Sequence, residues 1–179
     1  MAIEQNYFIL FELPQQYQVD TALLSDRYRA LQKTLHPDRY AHKSEREQLQ
    51  AVQASAHLNE ALATLKSPLR RAAYLLSLKG VDTDSSHQTV SDGAFLMQQM
   101  MLREQLDDAR DAADPFDALE ELLHQLQGSE AELQGALESQ LQSDDPAVLG
   151  EALDNLQKLQ FFDKLRHEIE RVEDELDDL

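Results

Sequence analysis

The stretch Leu35-His36-Pro37-Asp38-Arg39 interrupts a helical pattern and decides how the first half of the chain folds. Before it, apolar residues recur every three or four positions, at Leu24, Tyr28, Leu31 and Leu35. This spacing predicts an amphipathic helix over about residues 20–35. Pro37 has no backbone N–H, and its ring clashes with the preceding helical turn. We therefore expect the helix to end at His36 and Asp38 to lie in a turn.

A second helix is expected soon after this turn. Ser44 and Glu47 have the S-x-x-E spacing of a capping box, which predicts a helix from there to about Lys66. Its apolar stripe is expected to consist of Leu49, Val52, Ala56, Leu62 and Leu65. Several alanines along it would let the preceding helix approach closely. The tripeptide His36-Pro37-Asp38 is thus predicted to join two helices.

Two shorter segments flank this hairpin. The apolar run within residues 6–13 ends at Pro14 and is compatible with either a strand or one buried helical turn, because so short a run has no decisive period. Ser67-Pro68 ends the second helix and begins another, and Gly80 is expected to terminate that one. Residues 1–79 therefore read as one helical domain.

The charge changes sharply after residue 79. Residues 1–79 contain ten Lys and Arg against eight Asp and Glu, a net charge of +2, whereas residues 80–179 contain six against twenty-six, a net charge of -20. Residues 80–91 are rich in Ser, Thr and Asp and coincide with the change. We expect them to form a linker between domains at residues 1–79 and 92–179.

Three helical patterns fill the second half. The first runs from about Gly93 to Ala113. The next two open at Asp114-Pro115 and Asp145-Pro146, each an acceptor side chain followed by a proline at the first helical position, and the last continues to residue 179. This repeated stop and start predicts a three-helix antiparallel bundle in an all-α protein.

Composition argues against several classes of function. The chain has no cysteine, and its six histidines form no HxxxH or HExxH pair, so we expect no metal site and no cofactor. So acidic a carboxyl half argues against nucleic acid and anionic membranes as partners. No apolar run approaches the ~20 residues of a membrane span, and the amino terminus does not resemble a signal peptide, so a cytoplasmic location is expected.

The helix beginning near Gly93 is apolar on more than one side. At about 100° per residue, one side carries the residues expected to build the core, namely Phe95, Leu102, Leu106 and Ala109. The other side carries Leu96, Met97, Met100, Met101 and Glu104. These residues either fill a wide contact with two neighbouring helices or form a surface that binds another protein, for which methionine is well suited. Phe161, a quarter turn from the stripe of Phe162, is a second apolar residue without an obvious core position.

These features together resemble one family of proteins. A helix with a basic outer face that ends in His-Pro-Asp resembles the J domain of DnaK co-chaperones, and nearly the whole chain is similar to the HscB family, the J-domain co-chaperones of bacterial iron–sulfur cluster assembly. The matching runs are Tyr7-Phe8 with Leu10-Phe11, Leu35-His36-Pro37-Asp38-Arg39, Ala51-Val52-Gln53 with Ser55-Ala56, Ala73-Tyr74-Leu75-Leu76-Ser77-Leu78, Phe95-Leu96-Met97, Leu102-Arg103-Glu104 and Asp163-Lys164-Leu165.

The resemblance implies a fold and two partners. The fold is an amino-terminal J domain, a helical hairpin with flanking short helices, followed by the three-helix bundle. A DnaK-type chaperone, HscA, would be engaged and its ATPase stimulated through His36, Pro37 and Asp38 with Arg27, Arg29, Lys33 and Arg39. The cluster scaffold IscU would bind Leu96, Met97, Met100, Met101, Glu104 and Phe161. The family position of Met101 is often acidic, so this surface is expected to be more apolar here.

Two other functions compete with this interpretation. A J-domain protein for an unrelated client would share the first surface and not the second. A hydrolase using His36 with Asp38 as a base is disfavoured, because the sequence offers no partnered nucleophile, no phosphate-binding glycine loop and no metal site. We therefore expect no catalytic residues.

Overall fold

The computed structural model describes residues 6–83 and 92–177, and every regular element within them is helical. The chain forms two compact units, residues 1–79 and 80–179. The first contains α1 (Tyr7–Leu10), α2 (Thr21–Leu35), a 3-10 helix (Pro37–Tyr40), α3 (Glu45–Lys66) and α4 (Pro68–Leu78), and the second contains α5 (Gly93–Arg110), α6 (Pro115–Gln140) and α7 (Pro146–Asp177). Most of the expected linker, residues 84–91, lies outside the described residues, as do residues 178 and 179. None of these α-helices combines the length and apolar character of a bilayer span.

The helices of the first unit begin and end at the predicted residues. The Asp20 carboxylate accepts hydrogen bonds from the backbone N–H groups of Ala22 and Leu23, at 3.0 and 2.9 Å. The predicted capping box of Ser44 and Glu47 is confirmed at the start of α3. Gly80 has a φ of +82° just after α4, a left-handed conformation that favours glycine. Local sequence chemistry thus fixes these boundaries.

The apolar run near the amino terminus is a short helix, which resolves the choice left open by the sequence. Phe8 is fully buried. The backbone N–H of Tyr7 donates to the hydroxyl of Tyr74 at 3.0 Å, and the two rings stack with their centroids 4.4 Å apart. Because Tyr74 lies on α4, these contacts hold α1 to that helix.

The apolar stripe predicted for α3 is wrong over its first half. Leu65 is buried, but Leu49 and Val52 are 59% and 52% exposed, and Ala56 is also exposed. The buried residues of α3 are Ala51, Leu58, Ala61, Thr64 and Leu65. Two of these are alanines, Ala51 and Ala61, which let another helix approach closely. The predicted stripe followed Leu49 and Val52 and missed Leu58, so it lies on the wrong side of the helix at its start.

In the second unit α6 and α7 run antiparallel. Gln140, at the end of α6, hydrogen-bonds Glu151 and Asn155 near the start of α7, at 3.3 and 2.9 Å. Further along, the Arg166 guanidinium lies 3.7 Å from the Glu130 carboxylate. Residues of all three helices share one apolar core, which includes Phe95, Leu102, Leu106, Leu119, Leu126, Phe162 and Ile169. The predicted bundle and all-α class are confirmed.

Truncation of Leu126 tests this core. Leu126 is 2% exposed within the core of the bundle, so Leu126→Ala is expected to lower the free energy of unfolding by about 3 kcal/mol through lost burial and an unfilled cavity. Urea unfolding followed by circular dichroism measures the change. The matched control is Met100→Ala on α5, whose side chain is exposed and whose loss is expected to cost less than about 0.5 kcal/mol. Equal effects of the two substitutions would contradict the assignment of Leu126 to the core.

Candidate functional site

His36 occupies the break between α2 and the 3-10 helix. Its backbone is extended, with φ -62° and ψ 129°, because Pro37 follows it as the first residue of the 3-10 helix. Its ring Nδ1 accepts a hydrogen bond from the backbone N–H of Asp38 at 3.3 Å, and its carbonyl accepts one from Arg39 at 3.1 Å. The imidazole therefore acts as the amino-terminal cap of this turn, with the proton of its neutral form on Nε2.

Side chains from both sides hold this loop in place. The Arg39 guanidinium donates to the carbonyl of Lys33 at 2.8 Å, and the Tyr40 hydroxyl donates to the carbonyl of Thr34 at 3.4 Å. Both carbonyls belong to the last turn of α2, where no helical N–H remains to bond them and a cation is favourable. The Gln48 amide of α3 donates to the carbonyls of Ala41 and Lys43, at 3.3 and 3.0 Å. The loop is thus tied to both helices of the hairpin.

The functional groups of the loop point to solvent. The His36 side chain is 47% exposed and that of Asp38 is 90% exposed, with 3.5 Å between Nδ1 and the carboxylate. The hydroxyls closest in sequence bond other groups: Thr34 bonds the carbonyl of Ala30, Tyr40 the carbonyl of Thr34 and Ser44 the carboxylate of Glu47. The His–Asp pair therefore has no adjacent nucleophile to activate, and its geometry suits recognition by another protein.

The structure brings together only some of the predicted basic residues. Arg29 and Lys33 are exposed one turn apart on α2, and Arg29 lies 3.4 Å from Asp26. Arg27 lies about 120° around the helix from Lys33, at 100° per residue, and forms an ion pair with Glu12. Arg39 is exposed but bonds the end of α2. The side of α2 that carries Arg29 and Lys33 is therefore distinct from the side of Arg27.

The second set of predicted residues lies on α5. Leu96, Met97, Met100 and Met101 are 44%, 60%, 68% and 55% exposed, and Glu104 is exposed beside them. We call these five residues the methionine face. The alternative that they fill the bundle core is wrong, because α5 contributes Phe95, Leu102, Leu106 and Ala109 to it. Four large apolar side chains on adjacent turns thus remain open to solvent.

Phe161 on α7 is part of an aromatic cluster at the edge of this face. Its ring centroid lies 5.7 Å from that of Phe95 and 5.8 Å from that of Phe162, in edge-on and tilted arrangements. The Arg103 guanidinium carbon lies 5.8 Å from the centroid of Phe161, within the range of a cation–π contact. Around α5, Arg103 lies between Phe95 and Met100 at 100° per residue. Phe161 therefore borders the methionine face, and Arg103 is a neighbour that the sequence did not reveal.

The start of α5 is anchored to α7. The Asp92 carboxylate caps the N–H groups of Ala94 and Phe95 and accepts a hydrogen bond from the Lys158 ammonium at 2.8 Å. The hydrogen bond from Lys158 lowers the pKa of the Asp92 carboxyl. The same ammonium lies 5.4 Å from the centroid of the Phe95 ring. These contacts fix the turn that carries Leu96 and Met97.

No metal centre competes with this interpretation in the part of the chain that the structure describes. Its His, Asp and Glu side chains nowhere form a group of three or more that could hold a metal ion. The site therefore consists of a polar loop on the first unit and an apolar face on the second.

Comparison with known proteins finds relatives that are similar over nearly the whole chain. Residues 91–170 match the family model described as the HSCB C-terminal oligomerisation domain. The co-chaperone protein HscB homolog of Pseudoalteromonas atlantica is 47% identical over 173 residues, which cover 97% of this chain and 99% of that protein. Among solved structures, chaperone HscB from Vibrio cholerae is 45% identical with a TM-score of 0.86, covering 96% of this chain and 99% of that one. Human co-chaperone protein HscB is 29% identical with a TM-score of 0.83, covering 93% and 81%.

Removal of the Arg39 side chain tests how the loop is held. In Arg39→Ala the backbone amides of Arg39 and Lys43, which bond the carbonyls of His36 and Tyr40, are expected to exchange with solvent roughly 5-fold faster, since one hydrogen bond stabilises the loop by about 1 kcal/mol. Hydrogen exchange measured by NMR gives the rates. The control is Arg29→Ala, whose side chain is paired with Asp26 and does not bond the loop. Equal exchange in both variants would contradict the assigned role of Arg39.

Proposed function

This chain belongs to the HscB family of co-chaperones, and we propose that it stimulates the ATPase of a DnaK-type chaperone, HscA, and delivers to it the iron–sulfur scaffold IscU. The observation that carries the proposal is the presence of two unlike exposed surfaces on two units. One is the restrained His36-Pro37-Asp38 loop, and the other is the methionine face, with the half-buried Phe161 at its edge.

The loop is suited to the chaperone half of the function. Arg29 and Lys33 on α2 would steer an acidic patch of the chaperone toward it, which raises the encounter rate and makes it sensitive to salt. Stimulation of ATP hydrolysis requires only that the loop bind the hydrolysis-competent conformation of the chaperone more tightly than the resting one. A loop tied to both helices favours this, because little entropy is lost when it is bound. His36 transfers no proton in this scheme.

The methionine face is suited to the scaffold half. Its four apolar side chains offer adaptable surface that loses water when a partner covers it. Residues 93–102 contain no charged side chain although the net charge of residues 80–179 is -20, so the Glu104 carboxylate is the only charge of the methionine face that binding would desolvate. The chain has no cysteine with which to ligate a cluster. The cluster would therefore remain the cargo of the scaffold, and this chain would need no metal or cofactor of its own.

Other properties follow from the same proposal. The chain would act by binding and not as an enzyme, since neither surface contains an activated nucleophile. We place it in the cytoplasm, where a cytosolic chaperone and scaffold would meet it. Its acidic second unit would disfavour nucleic acid and membrane partners. The second candidate function is that of a J-domain co-chaperone for a client other than IscU. It is favoured by the exposed Met101, which occupies a position where the resemblance implies an acidic residue.

Substitution of His36 tests the chaperone half. His36→Gln removes the imidazole cap of the turn and the exposed ring, and is expected to lower stimulation of the HscA ATPase by roughly 10-fold or more, as for a residue central to an interface. Steady-state ATP hydrolysis with the full chain measures the effect, and circular dichroism checks the fold. The matched control is His42→Gln, an exposed histidine in the same segment, which is expected to stimulate normally. Full stimulation by His36→Gln would refute this half.

The scaffold half is tested on the second unit. The double variant Met97→Ala, Phe161→Ala is expected to bind IscU roughly 10-fold or more weakly while stimulating the ATPase normally, because it leaves the first unit intact. Calorimetry measures binding, and Met97→Ala with Met100→Ala provides a second variant that leaves the aromatic cluster in place. Phe116→Ala, which removes an exposed aromatic of α6, is the control. If both double variants retained IscU binding, the scaffold half of the proposal would be wrong, and the methionine face would have to bind another client.

A further inference from the structure

Three of the four methionines of the chain lie within five residues on the exposed side of α5. They are Met97, Met100 and Met101, and the fourth, Met1, lies outside the described residues. We propose that these three thioethers are an oxidation switch. A hydroperoxide converts them to sulfoxides and thereby weakens the binding of the scaffold, and a methionine sulfoxide reductase restores it. The switch rests on the proposed function, since it acts on the proposed scaffold surface.

The chemistry needs only an oxidant that reaches the sulfur. A lone pair of the thioether sulfur attacks one oxygen of the hydroperoxide, the O–O bond breaks, and an S=O bond forms. The proton of the attacked oxygen moves to the departing oxygen, which leaves as water when the oxidant is hydrogen peroxide. Sulfur is oxidised by two electrons and the peroxide is reduced by two. The reductase returns the sulfoxide to the thioether with two electrons and two protons from a pair of thiols, which become a disulfide, and the oxygen leaves as water.

The methionine face contains the side chains of this protein that a hydroperoxide oxidises most readily. The chain contains no cysteine and no tryptophan, so the methionine sulfurs are its most readily oxidised atoms. More than half of each of the three side chains is exposed. Between residues 6 and 79 there is no methionine at all. Oxidation is therefore concentrated on the second unit and leaves the described part of the first one unmodified.

Oxidation would change the surface without changing the fold. The three positions follow the spacing i, i+3 and i+4, so they share one side of the helix. Three sulfoxides would place three strong hydrogen-bond acceptors there, and a partner that covered them with apolar groups would have to remove their water. The core residues that hold α5 in place, Phe95, Leu102 and Leu106, carry no sulfur. The folded bundle is therefore expected to survive while its apolar docking surface is lost.

The test uses the full chain treated with hydrogen peroxide. Peptide mapping by mass spectrometry locates the sulfoxides, circular dichroism checks the fold, and calorimetry measures binding to IscU. We expect a roughly 10-fold or greater loss of affinity once the three residues are oxidised, and recovery after treatment with both reductases, one for each sulfoxide epimer. Unchanged affinity of the fully oxidised chain would overturn the switch. Failure of the untreated chain to bind IscU would overturn the proposed function itself, which is a distinguishable result.

A variant without these three methionines tests whether the effect of peroxide on IscU binding arises from their oxidation. Met97→Leu, Met100→Leu and Met101→Leu are combined, and the peroxide-treated variant is compared with its own untreated form, so that any direct effect of the substitutions cancels. Met1 remains in this variant and controls for its own oxidation. The ratio of the two affinities is expected to be one, and a loss as large as in the parent chain would refute the assignment. Stimulation of the HscA ATPase without scaffold should be equal before and after treatment of the parent chain.

Discussion

The first unit depends on the constraint that Pro37 imposes. A proline at this position cannot donate a hydrogen bond to continue α2, and it excludes the helical conformation from the residue before it. His36 is consequently extended, and the chain reverses through a single 3-10 turn before Ser44 caps the return helix. The same constraint that ends the helix therefore exposes the imidazole and the Asp38 carboxylate. The exposure of these two groups is a direct result of how the hairpin turns.

The loop is more ordered than its composition suggests. The last carbonyls of a helix ordinarily bond water or a capping glycine. Here the carbonyls of Lys33 and Thr34 accept hydrogen bonds from Arg39 and Tyr40, which lie beyond the break. One basic residue of the loop thus has a structural role, and a count of positive charges near His36 overstates the charge available to a partner. Arg29 and Lys33 remain the exposed cations of α2.

The sequence predicted where helices begin and end better than it predicted which side of a helix is buried. Caps are local, so Asp20, Ser44 and the Asp114-Pro115 pair could be identified from a few adjacent residues. The predicted orientation of α3 was wrong because it depends on which side of that helix the rest of the unit approaches, and the size of its own side chains does not determine this: Ala51 is buried, whereas Leu49 and Val52 are exposed. The pairing of Arg27 with Glu12 and the contact of Arg103 with Phe161 join residues far apart in sequence. No spacing rule could anticipate them. The surplus of apolar residues on α5 was compatible with both a wide helix contact and an exposed surface, and the exposure of its side chains decides between them.

In the proposed function the two surfaces would rely on different forces. Recognition through Arg29 and Lys33 would act over distance and weaken as salt screens it. Recognition through the methionine face would act only at contact and depend on apolar area. The methionine face is a mostly apolar part of a domain whose net charge of -20 would repel an acidic partner elsewhere on its surface. In the proposed function, the uncharged run from Gly93 to Leu102 would offer such a partner a place to dock where Glu104 is the only charge of the face to be desolvated. Asp92 bonds Lys158 at one end of this run, and Arg103 lies against Phe161 at the other.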